Sequence, residues 1–114
     1  MPTSLSGEID DEQTHIDYSA AVEVRIGRDV TKIGSAAFAK SSVLNLRKVE
    51  FAPDCSNFTD IGEEAFFMSD ISAVAGVQNT ALSSIGNSAF LECYNLAEFN
   101  FPSTLRHIGN SAFS

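Results

Sequence analysis

One hexapeptide, Ile-Gly-x-x-Ala-Phe, occurs four times in this chain and constrains its fold more than any other feature. The copies occupy residues 33–38, 61–66, 85–90 and 108–113, at successive offsets of 28, 24 and 23 residues. Such self-similarity is typical of repeat architectures, in which each unit covers the apolar face of the next. We therefore predict a solenoid of stacked coils.

The residues between the hexapeptides predict β-strands. Val24-Arg25-Ile26, Val49-Glu50-Phe51 and Phe99-Asn100-Phe101 alternate apolar and polar residues, which is the period of a half-buried strand. We expect four short parallel strands, near residues 23–26, 47–51, 73–76 and 97–101. We also expect a second set of brief extended segments before each Ile-Gly pair, near residues 30–33, 58–61, 82–85 and 105–108.

Each position of the hexapeptide suggests a structural role. Glycine suits a turn that needs either positive φ or a close approach of two backbones. The x-x-Ala-Phe stretch is expected to form a single helical turn, which Asn87-Ser88 and Asn110-Ser111 can cap. Alanine keeps this turn thin, and phenylalanine fills the core beneath it. The second unit departs from the pattern, because Gly76 stands where an apolar residue is expected.

The unit at residues 85–107 closely resembles the BspA-type leucine-rich repeat. It reads Ile-Gly-x-x-Ala-Phe-x-x-Cys-x-x-Leu-x-x-Phe-x-Phe-Pro-x-x-Leu-x-x, and the resemblance covers about residues 22–114. The resemblance implies a right-handed repeat solenoid, leucine-rich-repeat-like and mostly β and irregular. Short parallel β-strands would line a concave face, with single-turn helices or 3-10 turns opposite. Members of this family occur on bacterial surfaces and in unicellular eukaryotes, and some are adhesins that bind host extracellular proteins.

The chain has 114 residues, which is enough for one domain. We expect a disordered acidic N-terminal tail over residues 1–14 and a leucine-rich-repeat solenoid over residues 15–114. The solenoid divides into an N-terminal strand or partial repeat and the units that follow it: 15–32, 33–60, 61–84, 85–107 and a truncated repeat at 108–114. No cap follows the last motif phenylalanine, so we expect either a fragment of a longer array or a last repeat that meets a partner.

The charge pattern disfavours several classes of partner. The net charge is −8, and Arg47-Lys48 is the only adjacent basic pair. A nucleic-acid backbone requires clustered Lys and Arg, so we expect no nucleic-acid binding. No window approaches the ~18 apolar residues of a membrane-spanning helix, and the first twenty residues show no secretory signal. We therefore predict no membrane insertion. The expected compartment is the cell surface or the exterior if the parent chain carries a signal, and the cytoplasm otherwise.

No constellation of residues predicts catalysis, a metal site or a cofactor. His15 and His107 are the only histidines, and neither has companions at ligand spacing. The acidic run at residues 10–12 lacks the spacing of a calcium-binding loop. Cys93 occupies a repeat position that predicts burial, where thiols are unreactive. We expect neither an enzyme nor a cofactor-binding protein.

The polar positions of the predicted strands form the candidate binding surface. If the strands align in register, these positions make two columns: Glu23, Lys48, Ala73 and Glu98 in one, Arg25, Glu50, Ala75 and Asn100 in the other. Their mixed charge favours a specific protein contact over non-specific electrostatic capture. An ordinary solvated strand face is the alternative interpretation.

These features lead to two functional hypotheses. We predict a protein–protein interaction module of leucine-rich-repeat type, adhesin-like and part of a longer protein, whose protein partner the sequence does not identify. The alternative is a structural spacer or degenerate repeat fragment with no ligand of its own, which the small residues Ala73 and Ala75 favour slightly. The uncapped C-terminal repeat also predicts an end-to-end contact.

Overall fold

The computed structural model describes residues 4–9, 22–40 and 44–114, with side chains for the last two ranges. Within these ranges the chain forms eight strands and one short 3-10 helix. The strands are β1 Ser4–Ile9, β2 Glu23–Ile33, β3 Lys48–Phe51, β4 Asp60–Ile61, β5 Ala73–Ala75, β6 Ser84–Ile85, β7 Glu98–Phe99 and β8 His107–Ile108. The 3-10 helix, Val77–Asn79, lies between β5 and β6.

All strand pairs are parallel, and two ladders start from the long strand β2. The beginning of β2 pairs with β3, which pairs in turn with β5 and then β7. The end of β2 pairs with β4, followed by β6 and β8. Each coil of the chain therefore adds one strand to each ladder. This architecture confirms the predicted repeat solenoid and its first set of strands.

The hexapeptides form a third ladder, which takes the place of the expected single helical turns. The N–H groups of Phe38, Phe66 and Phe90 each donate to an alanine carbonyl of the following coil, at 2.8, 2.7 and 2.7 Å. Within one coil the chain makes successive β-turns, such as the Ala65 N–H to Gly62 carbonyl bond of 3.3 Å. The N–H groups of this segment thus alternate between bonds within a coil and bonds to a neighbouring coil, because successive coils lie close enough to pair their backbones.

The glycine of the hexapeptide is required by this close approach. A Cβ atom on Gly86 would lie 2.6 Å from the Glu63 nitrogen and 2.7 Å from the Gly62 carbonyl carbon. One on Gly62 would lie 2.9 Å from the carbonyl carbon of Gly34. Positive φ instead occurs two residues after the glycine, at Ala36, Glu64, Ser88 and Ser111, with values between 56° and 58°. Of the two roles expected for this glycine, close backbone approach is therefore the one observed.

The motif side chains form the core of the solenoid. Ile33, Ile61 and Ile85 are at most 2 % exposed, and the phenylalanines of the same three hexapeptides are at most 1 % exposed. The phenylalanines stack along the solenoid axis. The Phe66 and Phe90 ring centroids are 4.9 Å apart with planes within 6°, and the Phe90 and Phe113 centroids are 5.0 Å apart. Each such pair contributes about 0.5–1.5 kcal/mol beyond the burial of its surface.

The irregular second unit keeps its core through a local change of direction. Gly76 has φ 83°, and the 3-10 helix that follows it places the fully buried Val77 in the core. A Cβ on Gly76 would lie 2.8 Å from the Phe51 carbonyl oxygen. Both the positive φ and the lack of space for a Cβ atom therefore disfavour any residue other than glycine at this position.

The N-terminal region corrects one expectation. Residues 1–14 were expected to be a disordered tail, but Ser4–Ile9 form β1, which pairs in parallel with β2. Arg25 pairs with Ser4 on one edge of β2 and with Glu50 on the other, so β1 covers the edge that begins the solenoid. The acidic run at 10–12, His15 and the start of the partial repeat 15–32 lie outside the described residues. The predicted division into repeats stays a prediction.

Replacement of Gly86 by alanine tests the role of the motif glycine. We expect Gly86→Ala to lower the free energy of unfolding by about 1–3 kcal/mol, because the new Cβ meets backbone atoms that cannot rotate away. Chemical denaturation measures the effect, with Asn95→Ala at an exposed position as control. A Gly86→Ala variant as stable as the control would show that the coils separate at little cost.

Candidate protein-binding face

The candidate residues lie along the ladder formed by the beginning of β2 with β3, β5 and β7. Cα pairing joins Glu23 to Lys48, Lys48 to Ala73 and Ala73 to Glu98 in one column. It joins Arg25 to Glu50 and Glu50 to Ala75 in the other column, and Asn100 follows β7 directly. We call the outward side of this ladder the strand face. Its binding role stays a prediction.

The fold fixes which side chains reach the strand face. Side chains alternate between the two sides of a strand, and Val24, Val49 and Val74 occupy the inward positions with at most 1 % exposure. The neighbouring positions therefore point away from the core in every strand. The backbone of the face is held by parallel pairing on both edges of β3 and β5. A partner would meet a surface that is already ordered, so binding would lose little conformational entropy.

The first two coils concentrate charge around Glu50. Its Oε1 atom lies 3.8 Å from Nη2 of Arg25 and 3.9 Å from Nζ of Lys48. The Arg25 and Lys48 side chains remain 51 % and 43 % exposed. Exposed pairs of this length contribute less than about 1 kcal/mol, so both cations can turn toward another molecule at little cost.

The last two coils have a different chemistry. Ala73 and Ala75 are half-buried and present only methyl groups, whereas Glu98 and Asn100 are exposed. The strand face thus changes from charged to small and apolar and then to acidic and polar along the solenoid axis.

A second charged cluster, which the sequence did not predict, lies beside the start of β3. Asp70 Oδ2 lies 2.9 Å from Nζ of Lys40 and 3.4 Å from Nη1 of Arg47. The hydrogen bond from Lys40 is the main reason why the pKa of Asp70 falls below its usual value. Lys40 and Arg47 belong to one coil and Asp70 to the next, and no motif in the sequence connects them. Repeat stacking alone brings them together.

The two cysteines are free thiols with structural roles. The Cys93 Sγ donates to the Phe66 carbonyl at 2.9 Å, and burial raises the pKa of Cys93 to about 11. The buried Cys55 Sγ donates to the Ile26 carbonyl at 3.3 Å, and burial also raises the pKa of this thiol. Both thiols therefore stay protonated at neutral pH, which disfavours nucleophilic chemistry.

The described part of the chain contains no group of three or more His, Cys, Asp or Glu side chains arranged to hold a metal ion. Among the described residues, no helix has the length and apolar character needed to cross a bilayer. His107 lies exposed on β8.

The chain is similar to a known repeat family and to a solved structure. Residues 13–114 match the family model for the BspA type leucine-rich repeat region, in six copies. A solved structure of a leucine-rich cell surface protein from Faecalibacterium prausnitzii A2-165 superimposes with a TM-score of 0.56 at 18 % sequence identity. The match covers 99 % of this chain and 44 % of that protein, so the present chain spans less than half of its neighbour. A search of curated proteins found no match.

The Asp70 cluster predicts a pH-dependent stability difference. A carboxylate with a lowered folded-state pKa stabilises the fold above its unfolded pKa, and this contribution is lost as the pH falls through the folded pKa. We therefore expect Asp70→Asn to lower the melting temperature at pH 7, and the difference from the parent chain to shrink below about pH 3.9. Thermal unfolding of both proteins across this range measures it.

Asp54→Asn is the matched control for this variant. Asp54 meets one cation, Arg28, at 3.4 Å, and both side chains are more than half exposed. We expect its replacement to change the melting temperature less than Asp70→Asn does. An Asp70→Asn difference of equal size at pH 7 and pH 3 would contradict the role assigned to the cluster.

Proposed function

The chain belongs to the BspA-type leucine-rich repeat family, and from this premise we propose that it is a protein–protein interaction module whose strand face binds a protein partner. The observation that carries the proposal is the in-register alignment of chemically distinct side chains on an ordered ladder. The inward residues recur from coil to coil and form the scaffold, whereas the outward residues differ from coil to coil. Such a face distinguishes partners by the pattern of its side chains.

We further propose that the module is adhesin-like and forms part of a longer protein at the cell surface or outside the cell. Two findings support this context. The structural neighbour is described as a cell surface protein, and the chain spans 44 % of that protein. The resemblance of the repeat to adhesin repeats supports the same view. We propose no enzymatic function for this module.

A structural spacer is the second candidate function. Ala73 and Ala75 favour it, because methyl groups at the centre of a face provide little specificity. A spacer would tolerate any substitution that keeps the strand face polar. An interaction module would lose affinity when the order of its charges changes.

The C-terminal end supports the proposal of an end-to-end contact. Phe101, Ile108 and Phe113 are 52 %, 47 % and 39 % exposed, although the equivalent positions of earlier coils are largely buried. Phe99, Phe101 and Phe113 also contact one another, with ring centroids 5.1–5.6 Å apart. Strands β7 and β8 end their ladders at this side of the described chain. Apolar side chains beside open strand edges are a surface on which another coil can stack.

A charge swap tests binding through the strand face. The double variant Arg25→Glu, Glu50→Arg keeps the net charge and allows the ion pair between residues 25 and 50 to reform, but it places the new arginine beside Lys48. Because these groups are exposed, we expect the free energy of unfolding to change by less than about 1 kcal/mol. We expect the affinity for a partner to fall at least tenfold, because the order of charges on the face is reversed. Partners are first identified on a microarray of purified extracellular proteins, and each is then measured by surface plasmon resonance.

The matched control exchanges another ion pair between coils. Arg28→Asp, Asp54→Arg reverses a pair that is also exposed but lies outside the strand face. Loss of affinity in the strand-face swap alone supports the proposal. Equal affinity of both swapped variants and the parent chain for every partner would favour the spacer.

The end-to-end contact has a separate test. A chain extended by one capping coil is expected to melt roughly several degrees higher, because the added coil covers Ile108 and Phe113. Thermal unfolding is measured together with sedimentation velocity. An unchanged melting temperature in a protein that sediments as a monomer would show that this end gains nothing from a stacked coil.

A further inference from the structure

The centre of the strand face contains a shallow notch. Ala73 and Ala75 form its floor, Lys48 and Glu50 of β3 form one wall, and Glu98 with Asn100 forms the other. Strands of a sheet lie about 4.7–4.9 Å apart, so the two walls are about 9–10 Å apart at the backbone. This width accommodates one extended side chain lying across two methyl groups.

The two walls of the notch differ in how their charges are compensated. The Glu50 carboxylate is shared by Arg25 and Lys48 on its own side. Glu98 is exposed, and among the described side chains of residues 22–40 and 44–114 no cation lies within 4 Å of its carboxylate. The wall formed by Glu98 therefore carries a negative charge that the described structure leaves for another molecule.

The distribution of charge along the solenoid strengthens this asymmetry. Residues 22–58 carry six basic and four acidic side chains, whereas residues 59–114 carry one basic and six acidic side chains. A partner that lies along the strand face thus meets a negative potential beyond β5. Charge complementarity requires the partner to be basic at this point.

We propose that the notch binds a lysine or arginine side chain of the protein partner. The aliphatic part of that side chain lies on the methyl groups of Ala73 and Ala75, and its cationic group binds the Glu98 carboxylate. Long basic side chains commonly bury their stems on apolar surface while the charge stays in water. The side-chain amide oxygen of Asn100 is a second acceptor at the same wall. The small size of Ala73 and Ala75 is also what favours a spacer. On this proposal it instead leaves the space that the partner's side chain fills.

The inference rests on the proposed function but has its own test. The probe is N-acetyl-arginine methylamide, titrated into the isotope-labelled full chain and followed by amide chemical shifts. N-acetyl-citrulline methylamide, which has nearly the same shape without the charge, is the matched ligand control. We expect saturable shifts at Ala73, Ala75, Glu98 and Asn100 with arginine, and weaker or absent shifts with citrulline.

Three variants locate the effect. Glu98→Gln is expected to weaken arginine binding about threefold, which is the size expected for an exposed ion pair. Ala75→Ile fills the notch with a residue suited to strands and is expected to abolish the shifts at Ala73. Glu63→Gln removes another exposed carboxylate, in a turn away from the strand face, and we expect it to bind like the parent chain.

The outcomes separate the two proposals. Equal shifts with citrulline, an unchanged dissociation constant for arginine in Glu98→Gln, or Ala73 shifts that persist in Ala75→Ile, would overturn the notch. If the notch fails while the Arg25 and Glu50 swap still abolishes partner binding, the interaction module stands without it. If arginine binds in the notch but no protein partner responds to the swap, the notch stands and the wider face is not the binding surface.

Discussion

The rest of this structure depends on how closely successive coils approach at the motif glycines. At Gly62 and Gly86 there is no room for a Cβ atom, because the backbone of the preceding coil occupies that space. This proximity lets the hexapeptide backbones hydrogen-bond from coil to coil, which would be impossible if the turns were wider. Three parallel ladders then hold each coil on the last. The same distance sets the stacking of the motif phenylalanines, whose ring centroids lie 4.9–5.5 Å apart.

The close approach of the coils is accompanied by an unfavourable backbone conformation at another residue of the hexapeptide. Because the glycine is fixed by space, the sharp change of direction falls two residues later, on alanine, serine or glutamate with positive φ. L-amino acids adopt that conformation at a cost of roughly 1–2 kcal/mol each. The hydrogen bonds between coils and the burial of isoleucine and phenylalanine offset it. The arrangement succeeds only in a stack, since a single coil has no neighbour to donate to.

The division between inward and outward residues explains how one scaffold can present a surface that varies from coil to coil. The inward positions repeat, so they determine the spacing and register of the strands. The outward positions vary without disturbing either, and they combine a charged region around Glu50, a methyl-lined notch and an acidic wall at Glu98. The proposed partner, a protein with basic side chains, follows from this order. The protonated thiols of Cys55 and Cys93 contribute to packing.

The sequence by itself determined the repeat, the strands and the in-register columns of the strand face, because these follow from periodic patterns that each unit expresses locally. Val24, Val49 and Val74 show their inward position by alternation alone.

The tertiary structure decided the features that need a neighbouring coil. These are the role of glycine in close approach, the positive φ at Ser88, the rescue of the core by Val77 after Gly76, and the joining of Lys40, Arg47 and Asp70. It also decided that Ser4–Ile9 pair with β2, since edge pairing depends on an available partner strand rather than on a local pattern. Contacts between residues some thirty positions apart are products of stacking, and no single repeat contains the information for them.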